Sequence, residues 1–368
     1  MKKKKLAIIS ADKSQIPLVI KAKEIGIETH CFSGDKEGYH QCKSVADYFH
    51  PISIFEKEQI LEKCSELEID GVTSKGNEHS IPIVAYVAQN MGLSGNRYED
   101  MLIAVNKYSR RQAFYQQGIK SPRFVLAHEK NDLSEFQYPL VVKPADRTKG
   151  IGVLKVEKEE DLQETIREAQ ELSLRKEVII EEFVEGLEAG VDIISYNGEH
   201  HILAIKEREM FFDENQCLQK IADHYPFELP VHIQTNIIDE TQKALNAIHF
   251  DFGASKAKFI LTNTNELLII DVNPKIGGYN TLKLHNGYDL VKNLIDVALG
   301  QFEKPEFTQK KYTGHYVCRE NTEGIRHAIE NKDNDPDIIK AVLFKEEEKY
   351  LGRIGYFNYV SDRKRRWK

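Results

Sequence analysis

The chain has 368 residues, 41% apolar and 30% charged. That is enough to bury a sizeable core and, at roughly 150 residues per domain, to fill two or three domains, so whole-chain disorder is excluded. The formal net charge is −7, yet nine basic residues crowd the two ends (Lys2 to Lys5, and Arg363, Lys364, Arg365, Arg366 and Lys368). The body is therefore more acidic than the total, which argues against a general nucleic-acid binder, and the two basic ends are expected to be solvated tails. No apolar run approaches the ~18 residues of a membrane span. The five cysteines are scattered without a C-x-x-C pair, as expected of a protein kept in a reducing cytoplasm rather than of a disulfide framework or zinc site.

The first hundred residues alternate short β-type runs with helical spacing. Leu6–Ser10, Glu28–Phe32, Tyr48–Ile52 and Asp70–Ser74 are expected strands; Pro17–Ile25, Phe55–Leu67 and Ile81–Met91 are expected helices. This rhythm predicts an α/β domain over residues 1–105 with a parallel, doubly wound sheet. The first strand runs into Ser10-Ala11-Asp12-Lys13, where a dinucleotide fold would carry G-x-G-x-x-G. A nicotinamide-dependent oxidoreductase therefore loses its main support.

From Asn106 the pattern changes. A basic helix (Lys107, Arg110, Arg111) leads through Gly118-Ile119 to strand Phe124–Ala127. Strands Tyr138–Ala145 and Ile151–Val156 flank a glycine-containing connection, and a charged helix (Glu159–Leu174) precedes strand Val178–Val184. Strand signals follow at Gly190–Tyr196, His201–Lys206, Ser255–Leu261 and Leu267–Val272, with helices at Glu240–Ile248 and Asp289–Leu299. This is an α+β region over 106–302, with a smaller unit at about 124–184. Residues 303–368 are expected to form a small β-rich subdomain with strands Tyr312–Cys318, Gly324–Ile329 and Tyr350–Tyr359 and one helix.

Three segments carry residues suited to chemistry. In Leu140 to Val153 a buried strand ends at Lys143, and a turn with Gly150 and Gly152 leads into the next strand. Glycines let backbone N–H groups approach phosphate oxygens while lysine adds a fixed charge; an ordinary solvated hairpin would look the same. In Val178 to Glu188, Glu181 and Glu188 lie seven apart around Phe183-Val184. A strand leaving its sheet there would offer backbone groups to an adenine edge and a carboxylate to a ribose; an edge strand with acids in water is the plain alternative. In Leu267 to Gly278, Asp271 and Asn273 share a strand face at the end of an apolar run, giving two oxygen ligands for a hard cation or an Asx turn before Pro274.

In order and spacing these segments resemble the ATP-grasp superfamily of carboxylate–amine ligases. The Gly287-Tyr288-Asp289-Leu290-Val291 stretch is similar to a branch related to carbamoyl-phosphate synthetases and amino-acid ligases. The resemblance covers roughly 106–300, with the preceding α/β unit similar to a pre-ATP-grasp domain. It implies an α/β parallel-sheet domain, then an α+β ATP-grasp fold with a lid at about 124–184, then the C-terminal subdomain. It also implies that Lys107, Lys143, Thr148, Gly150 and Gly152 meet ATP phosphates, that Glu181, Glu182 and Val184 form the adenine hinge, and that Glu188 holds the ribose. Asp271 and Asn273 would hold Mg²⁺, with Mn²⁺ as the alternative ion, and Lys275, Gly277 and Gly278 would lie beside the acyl substrate. Lys206, Arg208 and His224, from the variable strands, are the remaining candidate substrate and catalytic contacts.

Two positions depart from the family pattern. Lys258 stands where a second metal-binding carboxylate is usual, and Lys275 stands where arginine usually follows Asn-Pro. Lysine keeps the charge of arginine and loses its bidentate fork. The implied reaction is ATP-dependent joining of a small-molecule carboxylate and amine through an acyl phosphate, with Lys275, Arg208 and Lys258 in catalytic roles. The alternative is an ATP-binding protein without catalysis. Neither nucleic acid nor membrane is an expected partner; a homodimer is.

Overall fold

A computed structural model describes residues 3–34, 40–127, 133–147, 150–275, 279–319, 322–344 and 353–367. Strands β1 (Lys5–Ile9), β2 (Glu28–Phe32), β3 (Tyr48–His50) and β4 (Gly71–Thr73) form a parallel sheet in the order β3-β2-β1-β4. Residues 6–9 of β1 form a continuous apolar run because both faces of the strand are covered there. Leu6 and Ile8 pack with Leu18, Val19 and Ala22 of helix α1 (Ile16–Glu24). Ala7 and Ile9 pack with Ile60 and Cys64 of α2 (Lys57–Leu67) and with Val87 and Ala88 of α3 (Ile81–Met91). The expected doubly wound unit is present, and a further helix, α4 (Tyr98–Val105), closes it. Helix α5 (Lys107–Gln116) starts where the Asn106 side chain accepts a hydrogen bond from the Ser109 N–H at 3.0 Å, an N-cap that leaves Lys107 in the first turn.

Strands β5 (Phe124–Leu126), β6 (Leu140–Pro144), β7 (Leu154–Val156) and β8 (Val178–Glu182) form an antiparallel sheet in the order β5-β8-β6-β7. Helix α6 (Glu159–Leu172) covers it with Leu162, Ile166 and Ala169. Strand β7 is shorter than Ile151–Val156 because Gly150 and Gly152 take left-handed φ values of +81° and +68°, which end the extended run.

The largest layer is an eight-stranded sheet. Its members are β9 (Leu187–Tyr196), β10 (Glu199–Phe212), β11 (Leu218–Tyr225), β12 (Gly253–Leu261), β13 (Leu267–Asn273), β14 (Tyr312–Arg319), β15 (Ile338–Leu343) and β16 (Arg353–Ser361), in the order β13-β12-β9-β10-β11-β14-β16-β15. Helices α7 (Val231–Ala247) and α9 (Leu290–Ala298) pack on it, and α8 (Tyr279–Asn286) joins the two halves. The last three strands continue this sheet through the pairing of β11 with β14.

Several sequence expectations change here. Gly324–Ile329 is not a strand but the body of helix α10 (Glu323–Glu330): its buried Ile325, Ala328 and Ile329 follow helical spacing. Strands β11 and β15 were not expected, and β10 runs six residues beyond Lys206. The basic C-terminus is anchored rather than solvated. Arg365 meets Asp335 and Asp337 at 2.7 Å, and the Trp367 ring packs 5.0–5.3 Å from those of Tyr316, Phe357 and Tyr359. One indole and the carboxylates of Asp335, Asp337, Glu207 and Glu209 hold a short tail that charge alone would leave in water.

Candidate functional site

Between the β5-β8-β6-β7 sheet (the lid sheet) and the eight-stranded sheet lies a cavity of about 920 Å³. The three segments singled out in the sequence meet in it. Lys107, Lys143, Gly150, Glu181, Glu182, Val184, Glu188, Arg208, Lys258, Asp271, Asn273 and Lys275 all line it.

One end is cationic. Lys107 Nζ donates to the Pro144 carbonyl at 3.2 Å and to the Arg147 carbonyl, which ties α5 to the turn after β6. Burial lowers its pKa to about 8. Lys143, on β6, donates to Glu181 of β8, and burial again lowers its pKa. Burial would raise Glu181, but Arg111 at 2.9 Å and Lys143 outweigh it and hold the carboxyl below its ordinary value. Arg111 also donates to the Ile269 carbonyl and, at 2.6 Å, to the Ile270 carbonyl, so one guanidinium joins the lid sheet to β13.

On the opposite wall the pairing of β12 with β13 places Lys258 directly across from Asp271. Asp271 Oδ2 accepts from Lys258 Nζ at 2.8 Å and from Asn273 Nδ2 at 2.7 Å, while Oδ1 accepts from Arg110 Nη2 at 2.5 Å. Burial opposes ionisation of Asp271, yet Lys258, Arg110 and Lys107 together hold its pKa well below the usual carboxylate range. Lys275 pairs with Glu78 at 3.1 Å, a residue supplied by the loop after β4.

The other end is apolar. Phe183, Met210, Phe211, Phe212 and Leu218 line it, with the Phe183 and Phe212 rings edge-to-face at 5.7 Å. Such a slot suits a flat heteroaromatic ring whose polar edge meets the β8 backbone. Gly186 is required here, because a Cβ would sit 2.3 Å from the Leu261 carbonyl oxygen. Arg208 spans Glu188 and Asp223, the latter at 3.3 Å. Lys220 joins Asp223 at 2.8 Å, and against its burial these cations keep Asp223 well below its ordinary pKa.

Three expected contacts lie elsewhere. Lys206 is fully buried and bonded to Asp192 at 2.7 Å and to the Tyr225 hydroxyl at 2.7 Å. His224 is buried on the opposite face, 3.3 Å from Glu209 and 3.3 Å from the Tyr359 hydroxyl. Gly152 packs behind the turn, where a Cβ would sit 2.9 Å from Pro144 Cγ. Thr148, Gly277 and Gly278 lie outside the described residues. Arg110, Arg111, Glu78, Lys220 and Asp223 were not assigned to the site in advance. The adjacent arginines of a basic helix were a usable signal; Glu78, in a loop of another unit, left none.

Few oxygen donors around Asp271 are open to a hard cation. A carboxylate offers about four lone-pair directions. Three of those on Asp271 are engaged, leaving one on Oδ1 together with the Asn273 carboxamide oxygen. Among the described residues no group of three or more His, Cys, Asp or Glu side chains is placed to hold a metal ion.

Residues 105–284 match the family model described as D-ala D-ala ligase C-terminus. The D-alanine–D-alanine ligase of Enterococcus faecalis is 28% identical over 179 residues, 45% of this chain and 50% of that protein, so the chain matches only half the length of this relative. The L-amino acid ligase of Bacillus licheniformis superposes with a TM-score of 0.80 at 21% identity, covering 99% of this chain and 94% of that one. The biotin carboxylase domain of Hydrogenobacter thermophilus 2-oxoglutarate carboxylase, solved with MgADP, ADP and bicarbonate, gives 0.72 at 17% identity, covering 98% and 86%. The two-sheet architecture around a basic cavity is thus the ATP-grasp fold, and residues 105–284 within it are similar to the D-alanine–D-alanine ligase C-terminal domain.

Proposed function

We propose that this chain is a cytoplasmic, ATP-dependent carboxylate–amine ligase. The observation that carries this reading is the convergence of Lys107, Lys143, Lys258 and Lys275 at one end of a cavity whose other end is an apolar slot bordered by Glu182, Val184 and Glu188. Adenine would enter the slot against the β8 backbone, Glu188 would take the ribose hydroxyls, and the triphosphate would run toward the lysines. A carboxylate oxygen of the first substrate attacks the γ-phosphorus as the bond to the β,γ-bridging oxygen breaks, giving an acyl phosphate and ADP. The amine nitrogen of the second substrate then forms the C–N bond, phosphate leaves with the C–O electron pair, and the amine proton passes to solvent. The lysines hold the phosphates in line and spread the developing charge; no covalent nucleophile is needed. A single Mg²⁺ or Mn²⁺ carried by the nucleotide would be held by Asp271 and Asn273 and would supply further charge neutralisation. Arg208, between Glu188 and Asp223, and Lys275 border the space left for the acyl substrate. The lid sheet keeps water from the acyl phosphate.

The test is turnover with a panel of amino acids, dipeptides and other small carboxylates and amines. ADP and phosphate should form in equal amounts, and only when both a carboxylate and an amine are present. The capture of Asp271 by Lys258 and Arg110 favours a second reading, nucleotide binding without catalysis. In that case ATP binds and no pair of substrates releases ADP.

Lys107 adds a pH signature. With a free-state pKa of about 8, it must gain a proton to meet a phosphate above that pH. Nucleotide affinity should therefore be flat below about pH 8 and fall by up to about tenfold per pH unit above it, with proton uptake on binding. Titration calorimetry in buffers of different ionisation enthalpy measures both; affinity that stays constant to pH 9.5 would remove Lys107 from the phosphates.

A further inference from the structure

We infer that Lys258, backed by Arg110, is a built-in cation that stands in for a second divalent ion, so that this cavity takes a nucleotide bearing one metal ion and keeps affinity for nucleotide bearing none. The inference rests on the nucleotide reading above and concerns how the phosphates are neutralised. Neutralising Asp271 does not require Lys258. Arg110, only 2% exposed, already pairs with Oδ1 at 2.5 Å and is fixed by a second bond to the Ala104 carbonyl. Lys258 adds a second positive charge to the same carboxylate from the cavity side, where its side chain keeps 24% of its surface open. The ammonium therefore faces both Asp271 and whatever fills the phosphate end.

The surroundings reinforce this. Among the described residues, Lys107, Lys143, Lys275, Arg110, Arg111 and Lys258 oppose Asp271, Glu181 and Glu78 there. A second divalent ion bound to Asp271 would need the lone pairs that Lys258 and Asn273 occupy, and would sit beside an ammonium ion in a water-poor site. A polyanion meets no such conflict. It gains charge-assisted bonds from lysines already in place, and one ion on its own phosphates can use the remaining oxygens of Asp271 and Asn273.

The experiment is calorimetric titration of the full chain with ATP in excess EDTA and again in Mg²⁺, joined to a paramagnetic count of Mn²⁺ bound at saturating ADP. The wild-type protein should bind metal-free ATP within about tenfold of its affinity in Mg²⁺, and should hold one Mn²⁺ per nucleotide. Lys258→Met should lose about tenfold or more in EDTA and much less in Mg²⁺. Lys258→Glu, which supplies a second carboxylate, should raise the Mn²⁺ count to two. Wild-type binding that weakens about a hundredfold or more in EDTA, two Mn²⁺ in the wild type, or an unchanged metal-free affinity in Lys258→Met would each overturn the inference. Should either variant fail to fold, as judged by its thermal transition, the wild-type arms still decide it. Binding that appears only with metal defeats this inference and leaves the ligase reading standing; no binding in either condition defeats both.

Discussion

Replacing Arg111 with methionine is expected to lower folding stability by about 3–5 kcal/mol, the range for removing one partner from a buried ion pair. Its guanidinium is 3% exposed and serves two layers at once. Toward the lid sheet it meets Glu181 with Nε at 3.0 Å and Nη2 at 2.9 Å; toward the central sheet it donates to the Ile269 and Ile270 carbonyls. Methionine fills much of the volume but leaves a buried carboxylate with Lys143 alone and two carbonyl groups short of a donor. Arg111→Lys keeps the charge without the fork and should lie between the two. The pH dependence has a definite sign. Glu181 is held below its ordinary pKa, so its share of the stability is complete above the pKa of the unfolded carboxyl and is lost as pH falls through the folded value. Urea unfolding at neutral pH measures the difference, and a change within about 0.5 kcal/mol would show that the two sheets do not depend on this residue.

That coupling explains which parts of the site could be read from the chain. Glu181 and Asp271 were legible because each closes a continuous apolar run, Val178–Ile180 and Leu267–Ile270, and such runs must be buried strands whose ends open on something polar. Lys143 was legible for the same reason at the end of β6. Arg110 and Arg111 could be seen only as a basic helix, since nothing local says that both side chains turn inward; the acceptors that draw them in lie 70 residues further along in Glu181 and about 160 further along on β13.

The misplaced residues fail on depth and face rather than on chemistry. Lys206 and Arg208 are two apart on β10 and share a face, yet Arg208 reaches the cavity while Lys206 is sealed beneath Asp192 and Tyr225. His224 belongs to β11 and points to the opposite face, into the aromatic cluster around Tyr316 and Tyr359. Strand β11 shows no continuous apolar run because Lys220 and Asp223 interrupt it; the two charges are tolerated because Asp223 pairs with both Lys220 and Arg208. Residues 324–329 of helix α10 carry a strand signal because six residues with three apolar positions fit either period. Tertiary context, in each case, decided what a short window could not.

Truncating Lys143 to alanine is expected to weaken ATP binding by tenfold or more, about 1.4 kcal/mol or more. The structure adds a complication that sharpens the test. Lys143 pairs with Glu181, so its loss would reduce affinity in two ways: a phosphate contact disappears, and a carboxylate is left less neutralised at the phosphate end. The double variant Lys143→Ala with Glu181→Gln separates them. If Lys143 serves only to neutralise Glu181, removing both charges should bring affinity back to near the wild-type value. If its ammonium group meets phosphate directly, the double variant should stay at least about fivefold weaker than Glu181→Gln alone, because Arg111 still faces position 181 and no donor replaces the lost lysine. Calorimetric titration of the four proteins forms a complete cycle, in which a coupling energy well below the effect of Lys143→Ala marks the direct contact. An affinity for ATP that does not change in Lys143→Ala would take this lysine out of the nucleotide site and move the phosphates toward Lys258 and Lys275.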